Sequence, residues 1–420
     1  MAENIIYYGP PGTGKTYLLQ SKMSDYIDYQ VSDKQIKDAY IRNTQEWILI
    51  SMIMLQNHGK MRPTEIQAKI ATLSLGKSIN VNSVLEEHNM DVSMLGVKRT
   101  PPCVFFECDG GCWYVNRIRI QQSMPDFFER YLGDSSVDRR YAFVTFHQSF
   151  SYEDFIEGIR PEYVAATNSI DYSPKPGVFK TICAEAGSHP EKEYAVFIDE
   201  INRGNISEIF GELISLIELD KRQGMANELS ATLPYSKEPF VVPSNINIFG
   251  TMNSADRSVG AIDIALRRRF KFIPMVPDSD VIARELRMNG IDPENVDGID
   301  VIRLFDTMNS RIELLLDRNH MLGQALFMSV RTGDDVVTVM RDRVVPLLEE
   351  YFFNDLQKVQ MVFNDLDETG ELRANPIYMH STLSVDGFFD YVGDYLIDDK
   401  KHYSVNPEMD EDSIKHIYGG

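Results

Sequence analysis

The chain has 420 residues, 43% of them hydrophobic and 25% charged, enough for two or three domains with cores of their own. Its longest apolar run, Trp47 to Leu55, contains Ser51 and falls well short of the roughly 18 residues that span a bilayer, so no membrane partner is expected. A net charge of −21 excludes a surface that coats nucleic acid, because such binding rests on phosphate neutralisation.

The charge is uneven. Residues 21–140 hold 15 basic and 15 acidic residues, so any contact with DNA is expected there or in a confined channel. Four cysteines do not make a disulfide framework. The N-terminus runs directly into an apolar segment, which leaves no room for a leader, and a cytoplasmic location is expected.

In chain order, Asn4 to Tyr8 reads as a short core strand. Gly9-Pro10-Pro11-Gly12-Thr13-Gly14-Lys15-Thr16 follows, and then a helical stretch from Tyr17 to about Tyr29. This is a GxxxxGKT loop with the strand before it and the helix after it that the motif requires. Its glycines let backbone N–H groups turn inward around phosphates. Lys15 should reach the β- and γ-phosphates, and Thr16 should ligate Mg²⁺.

Residues 31–140 read as an inserted domain. Trp47–Leu55 is helix-like, Pro63–Ile70 offers a helix with a Thr64 cap, and Asn80–His88 offers a third helix. Cys103–Cys108 and Cys112–Asn116 flank Asp109-Gly110-Gly111, a hairpin signal. Three helices and a hairpin resemble a winged helix. Lys60, Arg62, Lys69 and Lys77 are its basic candidates for DNA or a partner, a purely structural insert being the alternative. The three cysteines lack zinc spacing and read as hairpin packing.

Beyond a strand at Ala142–His147, Glu193–Asp199 is a buried-type strand that ends in Asp199-Glu200. Asp199 is placed to hold Mg²⁺ and Glu200 to polarise an attacking water as general base. Asn245–Thr251 is a further strand, after which Asn253 is the expected γ-phosphate sensor. Arg267 and Arg268, within Arg267-Arg268-Arg269, are candidate arginine fingers for a neighbouring subunit's γ-phosphate, which requires a ring. Residues 281–365 read as a helical lid and 366–420 as an acidic extension. That extension carries Phe388, Phe389, Tyr391 and Tyr395, and its Asp410-Glu411-Asp412 run reads as a solvated tail.

These stretches resemble the McrB family, the GTP-hydrolysing AAA+ motors of modification-dependent restriction systems. The resemblance rests on Phe143–Gly158, Phe197–Arg203, Gly211–Arg222, Thr251–Phe270 with its Met252-Asn253-Ser254-Ala255-Asp256-Arg257 signature, and Pro346–Phe353. It covers residues 1–20 and about 141–365. At Gly323-Gln324 the family stretch usually has His after the Gly, and here Gln324 replaces it.

The resemblance implies an α/β AAA+ P-loop core with a parallel sheet, formed by residues 1–30 and 141–280. It also implies GTP, with ATP as the alternative, together with Mg²⁺ and a ring that is a hexamer. Asp256 enters the nucleotide set on this basis. Nothing in the chain reads as a phosphodiesterase site, so cutting would fall to an McrC-like nuclease partner. The rival readings are a MoxR-like protein-remodelling ATPase and a nucleotide-switched scaffold with little turnover.

Overall fold

The computed structural model describes residues 2–76, 79–90, 99–108, 110–133, 137–164, 168–255, 264–353, 355–385 and 399–419. Asp256, Lys77, Phe388, Phe389, Tyr391 and Tyr395 lie outside them. Two compact units are present. One is drawn from residues 1–7, 15–252 and 258–273, the other from 8–14, 253–257 and 274–420. Among the described residues no helix is long and apolar enough to cross a membrane.

The first unit is organised around a five-stranded sheet. Its strands are β1 (Asn4–Gly9), β2 (Tyr141–Thr145), β3 (Tyr194–Asp199), β4 (Ile246–Asn253) and β5 (Lys271–Pro274). They lie in the order β5-β1-β4-β3-β2. The β3 strand runs parallel to both neighbours, with Val196 opposite Ile248 on one side and Ala142 on the other. Tyr194 to Ile198 are all buried, as expected of a parallel strand covered on both faces. Helix α1 (Lys15–Met23) follows β1, and the helix Val178–Ser188 packs Phe179, Ile182 and Cys183 into the core with Val196 and Ile198.

The inserted domain leaves and rejoins this sheet through a two-stranded stem in which Ile27–Tyr29 pairs antiparallel with Val137–Arg139. At its base Arg140 donates Nε and Nη2 to the two carboxylate oxygens of Asp28, both at 3.0 Å. Lys192 adds a third donor at 3.3 Å. Burial works against the Asp28 charge, but these cations prevail and hold its pKa below the usual carboxylate range.

Within the insert the order is helix Glu46–Gln56, strand Lys60–Met61, helices Pro63–Thr72 and Val81–Glu87, and strands Phe105–Cys108 and Cys112–Val115. The last strand lies between the other two, with Lys60 opposite Tyr114 and Phe105 opposite Val115. That is the winged-helix topology expected from the sequence. Trp47 to Leu55 is buried all round, which explains a run with no polar face. The Pro63 helix departs from expectation. Its cap is Arg62, whose N–H donates to Glu65 Oε2 at 2.8 Å, and Thr64 lies inside the helix. Pro63 takes the first turn, where no N–H is needed.

The second unit has a helical core built on Ser279–Met288, Val301–Leu315, Val345–Phe352 and Leu356–Phe363. The acidic run Asp410-Glu411-Asp412 is no tail. Asp410 caps the helix Glu411–Tyr418, accepting from Ser413 N at 3.0 Å, and Ile414 and Ile417 are fully buried in the lid core beside Ile377 and Tyr378. Asp365, fully buried, binds this segment. It accepts from Ile377 N and Tyr378 N at 2.8 Å and meets His416 Nε2 at 3.0 Å.

Candidate nucleotide site

The first unit holds an acidic pair at the end of β3. Asp199 closes β3, and Glu200, the next residue, adopts a left-handed conformation with φ of 53°. A non-glycine side chain seldom occupies this region, and such strain persists where the surrounding structure demands it. Thr251 on β4 supplies that demand. Its buried hydroxyl donates to Asp199 Oδ1 and accepts from Glu200 N at 3.1 Å. One hydroxyl thus fixes the carboxylate of Asp199 and the backbone that aims Glu200.

Thr16, in the first turn of α1, donates to the same Asp199 oxygen at 3.5 Å. Lys15, at the start of that helix, is buried. Glu200 is about a quarter exposed and accepts from Arg203 Nε at 3.3 Å.

The second unit holds the glycine loop. Gly12 and Gly14 have φ of 78° and 84°, so these two positions require glycine. Thr13 Oγ1 donates to Pro10 O at 2.9 Å, closing the turn upon itself. The loop is braced at both ends. Gly9 O accepts from Ser254 N at 3.1 Å, and Gly12 O accepts from Ala325 N at 3.0 Å. Gln324 Nε2 donates to Thr13 O at 2.9 Å. Asn253, half-buried, ends β4.

The three arginines separate. Arg269 is buried, lies 2.8 Å from Glu218 Oε1, and its carbonyl accepts from Asn4 Nδ2 at 3.0 Å, so it is structural. Arg267 and Arg268 are exposed. Arg267 lies over the Phe272 ring at 5.3 Å, and Arg268 reaches Glu218 at 3.4 Å. In the insert Lys69 pairs with Asp33 at 2.9 Å, while Lys60 and Arg62 are exposed. Cys108 and Cys112 face each other across the hairpin.

Sequence reasoning passed over Thr251 as a site residue in favour of Asn253. Its signal was a hydroxyl side chain in the buried part of that strand, two positions before Asn253. Arg203 was noted within a motif but given no role.

A strand, a glycine loop opening into a helix, and a second strand ending in Asp-Glu within a five-stranded sheet of this order define an AAA+ P-loop protein. Two family models match. One is the AAA domain of the dynein-related subfamily over residues 128–270, the other the McrB alpha-helical lid domain over residues 300–360. The first begins near the end of the insert, which separates the glycine loop from the rest of the domain.

The chain thus carries an AAA domain and an McrB-type helical lid, and its similarity to McrB-type AAA+ proteins extends to curated relatives. It is 39% identical over 250 residues to the Type IV methyl-directed restriction enzyme EcoKMcrB subunit of Escherichia coli K12, covering 56% of this chain and 52% of that one. It is 28% identical over 195 residues to the Type II restriction enzyme BsuMI component YdiS of Bacillus subtilis 168, covering 38% and 57%. The chain thus spans about half the length of these curated relatives.

Proposed function

We propose that this chain is a nucleoside triphosphatase motor of a cytoplasmic, multi-component restriction or anti-phage system, working as a ring and preferring GTP over ATP. The observation that carries the reading is the Asp199–Thr251–Glu200 arrangement, with Thr16 on the same carboxylate.

In this reading the backbone N–H groups of Gly12 to Gly14 and the Lys15 ammonium hold the β- and γ-phosphates. Thr16 Oγ1 and Asp199 Oδ1 are hard oxygen donors 3.5 Å apart, a chemistry that suits Mg²⁺. The ion, when bound, neutralises phosphate charge. Glu200 takes the proton of the attacking water and Asn253 orients that water. The Arg203 guanidinium holds Glu200 to one side, so turnover by the chain alone is expected to be slow. Arg267 and Arg268 are exposed and could exchange their contacts with Phe272 and Glu218 for a neighbouring copy's γ-phosphate, which supports a homo-oligomeric ring, a hexamer by the family resemblance.

The relatives are named as a subunit and a component of restriction enzymes, which supports a separate cutting partner of McrC type. The insert is assigned to recognition. The helix Val81–Glu87 exposes Asn82, Ser83 and Glu86 and no cation, which favours a protein partner over DNA on that face.

The test is turnover of GTP and ATP by the purified chain, alone and with the adjacent gene product. GTP hydrolysis that rises with the partner and vanishes in Glu200→Gln is expected. ATP bound as well as or better than GTP would move the protein towards the MoxR-like remodelling ATPases. Absence of turnover even with the partner would overturn the motor reading.

A further inference from the structure

We propose that Gln324 is a positioning residue for the phosphate loop, and that Gly323-Gln324-Ala325 of the lid is a clamp on whose seating the loop's shape depends. The inference deepens the nucleotide reading above and rests on it for its kinetic part.

Three contacts within the second unit carry it. Ala325 N donates to Gly12 O at 3.0 Å, and Gln324 Nε2 donates to Thr13 O at 2.9 Å. Gly323 lies so close that a Cβ on it would fall 2.2 Å from the Gly12 carbonyl carbon and 2.3 Å from Pro11 O. Two successive loop carbonyls are therefore turned towards the lid and held there. Turning these carbonyls outward helps leave the loop's N–H groups free for phosphate, the geometry an anion nest needs.

Gln324 is buried, and among the described residues its Oε1 accepts no hydrogen bond. A buried amide with an unused acceptor is costly as mere filling. It is explained if the donor end has a task that a smaller apolar side chain cannot perform.

Two variants act on the clamp by independent routes. Gln324→Met keeps the side-chain length and removes the donor. Gly323→Ala keeps the donor and wedges the Gly323-Gln324-Ala325 segment from the loop, and its φ of −79° suits any residue, so the effect is one of contact alone. Gln324→His returns an N–H donor at similar reach.

The first readout needs no nucleotide. Amide exchange of residues 8–16 should quicken in both damaging variants of the full chain, while the lid helices 301–315 and 411–418 keep their protection. The second is kinetic. KM for the triphosphate should rise about five- to tenfold, the worth of one neutral hydrogen bond, with melting temperature and kcat little changed, and Gln324→His should restore it.

Unchanged exchange at residues 8–16 in both variants would overturn the clamp whatever the chain's activity. So would loop and lid loosening together, which marks a folding defect. A wild-type chain that binds no nucleotide would instead sink the motor reading, and the exchange result would still decide the clamp.

Discussion

Two acidic centres in this protein show how burial and hydrogen bonding separate a chemical role from a structural one. Asp365 is fully buried, and its oxygens meet two backbone N–H groups and the His416 ring. Asp199 and Glu200 lie at the mouth of a sheet, share one threonine hydroxyl, and include a carboxylate a quarter exposed on a left-handed backbone. The first carboxyl group has its bonding capacity filled from within the fold. The second pair is less deeply enclosed, and one of its members sits on a strained backbone, which fits the metal-holding and base roles proposed for it. Mutation should therefore move stability at one centre and turnover at the other.

The largest effect is expected at Glu200. Glu200→Gln keeps the shape and removes the base, so kcat should fall about 10²- to 10⁴-fold with nucleotide binding retained. Lys15→Ala should lose binding as well. Single-turnover assays alongside a fluorescent-nucleotide titration measure both. Near-normal kcat in Glu200→Gln would break the comparison from the chemical side.

Asp365→Ala should act on the fold instead. Leaving buried donors without an acceptor costs about 1–3 kcal/mol each, so the lid should lose about 3 kcal/mol or more. Calorimetry should show the lower melting transition, and nucleotide turnover per folded molecule at low temperature should match the wild type. A loss of kcat without a loss of stability would erase the distinction.

Thr251→Val sharpens the contrast, since valine fills the same volume in β4 but cannot bond to Asp199 or Glu200 N. About a tenfold drop in kcat is expected, with stability lowered by about 1 kcal/mol. Combined with Glu200→Gln it should add less than its own tenfold loss, because the part of its effect that aims Glu200 is already spent and only its hold on Asp199 remains.

What the sequence disclosed, and what it hid, follows the range of the interactions. The glycine loop with Lys15 and Thr16, and the Asp199-Glu200 pair closing an apolar strand, are contiguous motifs whose function lies in local backbone geometry. The winged-helix order was also readable, because a buried helix, a proline-started helix and an Asp-Gly-Gly turn each carry local signals. Thr251 and Gln324 were not legible as site residues. Their roles come from partners 52 and 311 positions away in the chain, which no spacing rule connects.

The acidic run at 410–412 misled for a related reason. Three charges in a row suggest solvent, but the first is a helix cap recognisable only when read with Ser413, three residues on, and with Ile414 and Ile417 behind it.

The smallest effect concerns that cap, a third carboxylate intermediate between the two centres. Asp410 is exposed, yet the Ser413 backbone N–H, the Ser413 hydroxyl and Asn375 Nδ2 all donate to it, and together they hold its pKa below the usual carboxylate range. A carboxyl group whose pKa is depressed by folding stabilises the protein above its unfolded pKa. That contribution is lost as pH falls through the folded value. The helix it caps carries Ile414 and Ile417 into the lid core, so the loss should register in the lid rather than only in a frayed terminus. Asp410→Ala should cost about 1 kcal/mol at neutral pH, the usual worth of such a cap. Its difference from the wild type should begin to narrow as pH falls below about 4, the unfolded carboxyl's range, and close only as pH falls through the lower folded value. Denaturant titrations of both chains at pH 7 and at successively lower pH measure this. A gap that stays constant through the acid range would mean that the aspartate serves the helix by shape alone, and that its charge contributes nothing to the lid.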